Sequence, residues 1–307
     1  MHVTVIGGTG HIAGFLVPML CEAGAEVCVV SSGRKPLPKG EPWSGVAHKV
    51  CAYQRDDRAW QEFVKELKSD VIIDLLGVDL PATYQAAKYY CRQLIACGSL
   101  WMLGEPGRIP TPEVPQAPCE FPGYARRFRE IQEVMAASQR EGIAFTAIFP
   151  PNIAGPGKVP LETQGGRSLE VHKELRDGKP VVLPEGCNNT IGPCDAEDIA
   201  QGFFLAVQKP QEAAGQIFNV GAAYSLTAPS FVETYGNIYN RVLEVQYVDP
   251  KEFYEMILPA PAANYHFRAQ MTPDITKISQ RLGYAPKYTP EEALERAVRW
   301  MEAEKLL

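Results

Sequence analysis

The sequence has no run of basic residues, no CxxC pair and no cysteine–histidine cluster at zinc spacing. Each absence closes off a class of function. Nucleic acid and anionic membrane surfaces need a basic face, whereas the formal net charge here is −6. The eight cysteines, at 21, 28, 51, 91, 97, 119, 187 and 194, stand apart, several in apolar runs such as Val27-Cys28-Val29-Val30. A thiol in such a run behaves as a small hydrophobe. Unpaired thiols suit a reducing compartment, so the expectation is a cytoplasmic protein without a metal site. The opening residues, Met1-His2-Val3-Thr4-Val5-Ile6, lack the cationic start and long apolar stretch of a leader. Nothing reaches the roughly 18 apolar residues that span a bilayer, and no internal repeat is present. What remains is a chain of 307 residues, 46% hydrophobic and 21% charged, which is enough to bury a sizeable core in one large domain or two intimate ones.

Short apolar runs alternate with helical periodicity. Val3 to Ile6 reads as a strand ending on Gly7-Gly8-Thr9-Gly10, and a helix follows from His11 to Cys21 with Pro18 late in it, where a kink or compressed end is expected. Further strands are expected at 26–30, 47–52, 71–76, 93–97, 145–149 and 217–220, and helices at 57–67, 83–90, 129–140, 169–176 and 195–207. The near-continuous apolar run Val71-Ile72-Ile73-Asp74-Leu75-Leu76 suits a strand covered on both faces. A last helix from Pro290 to Glu304 opens on Thr289 as its cap. Strands alternating with helices predict an α/β fold, a doubly wound parallel sheet of about seven strands. It would be built from residues 1–150 with returns near 195–220, and a smaller mixed substrate domain from 151–193 and 222–307.

Gly7-Gly8-Thr9-Gly10-His11-Ile12-Ala13 follows a strand and opens a helix. That is where a dinucleotide-binding loop needs small residues. Gly7 allows the tight turn, Gly10 lets the backbone approach a pyrophosphate, and Ala13 lets helix and strand pack closely. The second strand ends on Ser31-Ser32-Gly33-Arg34-Lys35, without the acid that would bind a ribose 2′-hydroxyl. Ser31, Ser32 and Arg34 suit a 2′-phosphate instead, so NADP is favoured over NAD.

The chain resembles the extended short-chain dehydrogenase/reductase family over nearly its whole length. The resemblance rests on the glycine loop, on Asp56 in Arg55-Asp56-Asp57, on Cys97-Gly98-Ser99-Leu100-Trp101-Met102-Leu103-Gly104 and on Pro150-Pro151-Asn152-Ile153-Ala154-Gly155-Pro156-Gly157. It rests also on Asp195-Ala196-Glu197-Asp198-Ile199-Ala200, Ile217-Phe218-Asn219-Val220-Gly221 and Leu282-Gly283-Tyr284-Ala285-Pro286-Lys287. It implies a Rossmann fold and epimerase, dehydratase or reductase chemistry on a sugar-like small molecule, with no nucleic acid or membrane partner and with room for a homodimer. It places Gly7, Thr9, Gly10, His11, Ile12, Asp56, Leu75, Gly77 and Cys97 around the dinucleotide, Ser99 and Tyr124 at the chemistry, and Asn152 and Arg268 at the substrate.

One departure stands out. The family pairs its tyrosine with a lysine four residues on, which lowers the phenol pKa and holds the cofactor ribose. Here that position is Phe128, and the arginine expected before Pro150 is Phe149. Arg127 or Arg129 is the candidate for the missing cation, although an arginine is not equivalent to a lysine. Two alternatives stay open: other acid/base groups such as His172 or Glu162, and a dinucleotide-binding sensor or scaffold without turnover. Relatives without the lysine include chloroplast RNA-binding proteins, a role at odds with the acidity of this chain. His172, flanked by Glu170, Lys173 and Glu174, reads as part of a solvated helix face.

Overall fold

The computed structural model describes residues 1–307. The first half alternates β1 (His2–Ile6), α1 (Ala13–Glu22), β2 (Glu26–Ser31), β3 (Ala47–Val50), α2 (Arg58–Leu67), β4 (Val71–Asp74), α3 (Leu80–Ala87), β5 (Gln93–Cys97), α4 (Pro122–Glu141) and β6 (Ala144–Phe149). Then come β7 (Asn152–Ala154), α5 (Leu169–Arg176), β8 (Val181–Pro184), β9 (Thr190–Ile191), β10 (Pro193–Asp195), α6 (Ala196–Gln208), α7 (Pro210–Ala213) and β11 (Gln216–Asn219). The chain continues through β12 (Leu226–Thr227), α8 (Ala228–Tyr239) and β13 (Val245–Val248) to a last helix, Pro290–Ala303.

Seven strands pair in the order β11-β6-β5-β4-β1-β2-β3, and every pairing is parallel. The sheet is covered on both faces, which is why its central strands are apolar throughout. Side chains alternate across β4: Ile73 joins Leu16, Val17 and Phe203 in the core under α1 and α6, while Ile72 joins Trp60, Tyr84 and Val134 in the core under α2, α3 and α4. A third core, with Leu175, Leu183, Phe231, Tyr235 and Leu294, gathers α5, α8 and the last helix. Three two-stranded ladders, β7 with β10, β8 with β13 and β9 with β12, frame that second region. No helix is long and apolar enough to cross a membrane.

Three of the boundaries that differ from the sequence pattern bear on the crevice. β4 stops at Asp74 because the Asp74 carboxylate accepts the N–H groups of Leu76 and Gly77 at 2.9 and 2.8 Å, which turns the chain off the sheet. α3 begins at Leu80, capped by Asp79, which accepts the N–H of Ala82 at 3.2 Å. α4 starts at Pro122, not at Arg129, so the helix is 20 residues long. Proline suits a first turn, where its missing N–H costs nothing. The longer helix carries Tyr124, Arg127 and Phe128 on one rigid element.

Candidate active site

The strand order reverses between β2 and β4, on either side of β1. At such a point the loops diverge and leave a crevice beyond the carboxyl ends of the strands. Its first half is a cleft of about 510 Å³ walled by Gly7, Thr9, Gly10, Ser31, Ser32 and Arg34. Gly7 has φ +81°, and a Cβ there would stand 2.9 Å from the Leu76 side chain. A Cβ on Gly10 would meet the Gly7 carbonyl at 3.0 Å. The loop is therefore tight at Gly7 and Gly10, which leaves its backbone open where it leads into α1, as a dinucleotide's phosphates require. This cradle fits the expected cofactor.

Around it the sequence expectations divide. Ser31 and Ser32 line the cleft, but the Ser31 hydroxyl is engaged, lying 2.8 Å from His48 Nε2 and accepting the Gly33 N–H at 3.1 Å. Asp56 stands outside the walls; it is exposed, and its backbone N–H bonds the Asp79 carboxylate at 2.9 Å. The far wall is instead Cys51, Ala52, Tyr53 and Gln54. The Ile12 side chain is buried in the core beneath the sheet. His11 reaches across the crevice, its Nε2 lying 2.8 Å from the Pro156 carbonyl, so the glycine loop is tied to the loop after β7. Burial lowers its pKa to about 4.

The second half of the crevice, about 320 Å³, lies over the ends of β5 and β6 and the start of α4. It brings together Leu75, Cys97, Ser99, Tyr124 and Asn152. Ser99 accepts the Trp101 N–H at 3.3 Å, which leaves its hydroxyl proton free to donate elsewhere. Tyr124 is half-buried beside Trp101, ring centres 5.6 Å apart. Arg127 turns in from the same helix face: its Nη2 donates to the Cys97 carbonyl at 3.0 Å, and a Cβ on Gly77 would be 2.8 Å from that nitrogen. Gly77, with φ +56°, thus makes room for the guanidinium. Arg129 is exposed and does not line the cleft.

Phe128 and Phe149 account for the two missing basic residues. Both are buried, with ring centres 6.1 Å apart at 73°. The Phe149 ring lies over Gly98, where a Cβ would come within 2.2 Å of it. The two polar positions of the family pattern are here one apolar contact, and Gly98 is small because the ring needs the space.

His266, Arg167 and Lys158 line the same cleft as Asn152. His266 Nδ1 lies 3.1 Å from Asn152 Nδ2, and burial pushes its imidazole down to about 4, so it is neutral at neutral pH. The Asn152 Oδ1 atom is buried without a partner. Arg167 donates to the carbonyls of Val159 and Ile153 at 2.6 and 2.9 Å, and Lys158 stands nearby. The loop that places both is folded by Glu162, whose carboxylate accepts the Gly166 N–H at 2.9 Å. That hydrogen bond had no sequence signature.

Three earlier expectations are corrected. Arg268 pairs with Glu120 at 2.6 Å and bonds Asn264 at 3.2 Å, and it is not among the residues of the cleft. His172 is neither solvated nor catalytic in position: it is fully buried in the third region, between Tyr239 and the Pro160 carbonyl at 3.1 and 3.3 Å. Glu162 is buried and spent on its loop, away from the crevice.

Comparison with known proteins agrees with this architecture. The profile of the NAD dependent epimerase/dehydratase family matches residues 3–221. Among curated proteins, the chain is 23% identical to the chloroplast stem-loop binding protein of 41 kDa b of Arabidopsis thaliana, over 95% of this chain and 77% of that protein. Among solved structures, UDP-glucose 4-epimerase of Thermotoga maritima, solved with UDP-glucose, superposes with a TM-score of 0.77 at 18% identity, covering 99% of this chain and all (100%) of that one. UDP-glucuronic acid 4-epimerase of Bacillus cereus, in complex with UDP-glucuronic acid and NAD, gives 0.73 at 14% identity, over 99% and 100% of the two chains.

Proposed function

The chain belongs to the NAD-dependent epimerase/dehydratase family, and from that membership we propose that it is an oxidoreductase or epimerase acting on a hydroxyl or carbonyl carbon of a sugar-like substrate, with NADP preferred to NAD. The observation that carries this reading is the crevice itself. A tight glycine cradle and a cleft that holds Ser99, Tyr124 and a fixed cation, Arg127, both lie beyond the carboxyl ends of the strands.

Gly7, Thr9, Gly10, Ser32 and Arg34 would hold the dinucleotide, with Leu75, Gly77 and Cys97 flooring its far end. When bound, the nicotinamide supplies a two-electron acceptor or donor beside the reacting carbon. The protein's own part is the proton and the oxygen. Ser99, pinned by the Trp101 N–H, donates a hydrogen bond to the reacting oxygen. Tyr124 gives or takes the proton at that oxygen. Arg127 replaces the family lysine from one position earlier on α4. Its bond to the Cys97 carbonyl fixes the guanidinium in the cleft that Tyr124 also lines. Asn152 borders the substrate. The preference for NADP rests on Ser32 and Arg34 in a wall without a carboxylate. Ser31 contributes less than the sequence suggested, because its hydroxyl is bonded to His48.

The test is a screen of polyols, sugars and nucleotide sugars with NADP and NAD, read at the absorbance of the reduced nicotinamide and by epimer analysis. Turnover that falls by roughly 10²–10⁴ in Tyr124→Phe supports the reading, the range expected when a positioned proton donor is removed. Tight NADP binding with no turnover on any substrate would make the chain a dinucleotide-binding protein without redox activity.

A further inference from the structure

The substrate cleft carries three cations, Arg127, Lys158 and Arg167, and no carboxylate among its lining residues. In a chain of net charge −6 this local excess is a built feature. None of the three makes an ion pair. Arg127 and Arg167 are held by backbone carbonyls, which carry no compensating charge, and the Lys158 ammonium has no hydrogen-bond partner. Desolvation lowers the pKa of Lys158 and of Arg167, and Arg167 lowers that of Lys158 further. Cations set together and partly desolvated without a counterion are costly, and the protein bears that cost where a ligand brings the opposite charge.

A second feature sits beside them. Arg167 Nη2 bonds the carbonyl of Ile153, one residue after Asn152, whose buried Oδ1 has no partner. A buried acceptor left unmade costs free energy until a ligand donor reaches it. The wall thus asks for an anionic oxygen group and, next to it, a hydroxyl. Its size narrows the choice. At about 320 Å³ the cleft lies near the lower end of small-molecule sites and must also take the nicotinamide. Arg268, the cation expected for phosphates, is already neutralised by Glu120.

We propose that the substrate is a compact sugar acid, its carboxylate held between Arg167 and Lys158 and an adjacent hydroxyl donating to Asn152 Oδ1. This rests on the reading of the crevice as a nicotinamide-dependent site and specifies what enters it.

The experiment is calorimetry on the full chain saturated with NADP, titrated with C5 and C6 aldonates and uronates, the matching neutral sugars, glucose 6-phosphate and UDP-glucose. The expected result is that an aldonate or uronate binds at least tenfold more tightly than its neutral sugar. Lys158→Gln and Arg167→Met should each weaken that acid by about ten-fold or more, as for a lost charge-assisted hydrogen bond, with NADP affinity unchanged. Lys158 is exposed and makes no hydrogen bond of its own, so its variant folds even if Arg167→Met does not. Equal binding of acid and neutral sugar overturns the proposal, as does preference for glucose 6-phosphate or UDP-glucose. So does a Lys158→Gln variant that loses NADP affinity and keeps the acid, because the cations would then serve the cofactor. Failure of wild type to bind NADP at all would instead bring down the underlying reading, and the separate NADP titration shows which has failed.

Discussion

At the scale of single residues, the proposed site takes its cation from one position earlier than the family lysine. Arg127 reaches the cleft from the third residue after Tyr124, and Phe128, where a lysine was expected, points into the core against Phe149. The two positions should therefore separate in experiment. Phe128→Ala should cost about 3 kcal/mol of unfolding free energy, the usual loss for a buried phenylalanine, and leave the NADP dissociation constant nearly unchanged. Urea unfolding and a cofactor titration on the same variant check both halves; a large loss of NADP affinity without loss of stability would mean that Phe128 serves the cofactor. Arg127→Met should do the reverse, lowering kcat by roughly 10²-fold with little effect on stability. Arg34→Ala should weaken NADP by about ten-fold, since a charge-assisted contact contributes roughly 1.5–3 kcal/mol, and should leave NAD untouched. An equal effect on both cofactors, seen by calorimetry, would remove the 2′-phosphate argument.

At the scale of elements, helix starts decide the chemistry. α4 begins at Pro122, seven residues before the periodic stretch that the sequence made evident, because the proline and the extended Phe121 nucleate a first turn with few apolar residues in it. The apolar period marks only the part of a helix that packs. Tyr124 and Arg127 sit in the part facing the cleft, where the pattern is silent. The last helix is the opposite case: Thr289 and Glu292 form a reciprocal capping box, as the opening threonine and proline suggested. Removing that cap by Thr289→Ala should cost about 1 kcal/mol. The midpoint of denaturant unfolding should fall with an unchanged slope, and no loss of stability would mean that the helix is held by its packing alone.

At the scale of the whole molecule, three buried imidazoles make the fold sensitive to mild acid. His11, His172 and His266 are each pushed from 6.5 to about 4 by burial. The unfolded chain therefore takes up protons that the fold refuses, so stability is intact above pH 6.5 and is lost progressively as the pH falls toward 4. Each could contribute up to about 3 kcal/mol to that loss. Asp195 acts in the opposite direction. Burial raises its carboxyl from 3.8 to about 6, so the folded chain binds a proton there first and regains some stability between pH 6 and 4. Burial raises the carboxyls of Asp74, Glu113, Glu162 and Asp198 as well, so these act with Asp195 and offset part of the loss that the three histidines produce below pH 6.5. Unfolding free energies at pH 7.5 and pH 5 should differ accordingly, and His172→Gln should flatten the slope. A pH-independent stability over that range would mean that the buried histidines are protonated in the fold.

The local pattern by itself determined the sheet and the cradle. Gly7, Gly10 and Ala13 follow a strand whatever surrounds them, and unbroken apolar runs such as Val71 to Asp74 belong to a sheet covered on both sides. These features depend on residues close in sequence, where backbone freedom and side-chain period act directly. What only the tertiary structure decided is the wall of the substrate cleft. Lys158 and Arg167 come from the loop after β7 and His266 from a segment far along the chain, and neither stretch carries a period. They meet because the Glu162 carboxylate folds one loop back on itself and because His266 packs against Trp101. The same long-range packing took Arg268 and His172 away from the site, one into an ion pair and the other into a core. A charge or an imidazole reads identically in sequence whether it faces a ligand, a carboxylate or a buried tyrosine, and only its partners in space set which it does.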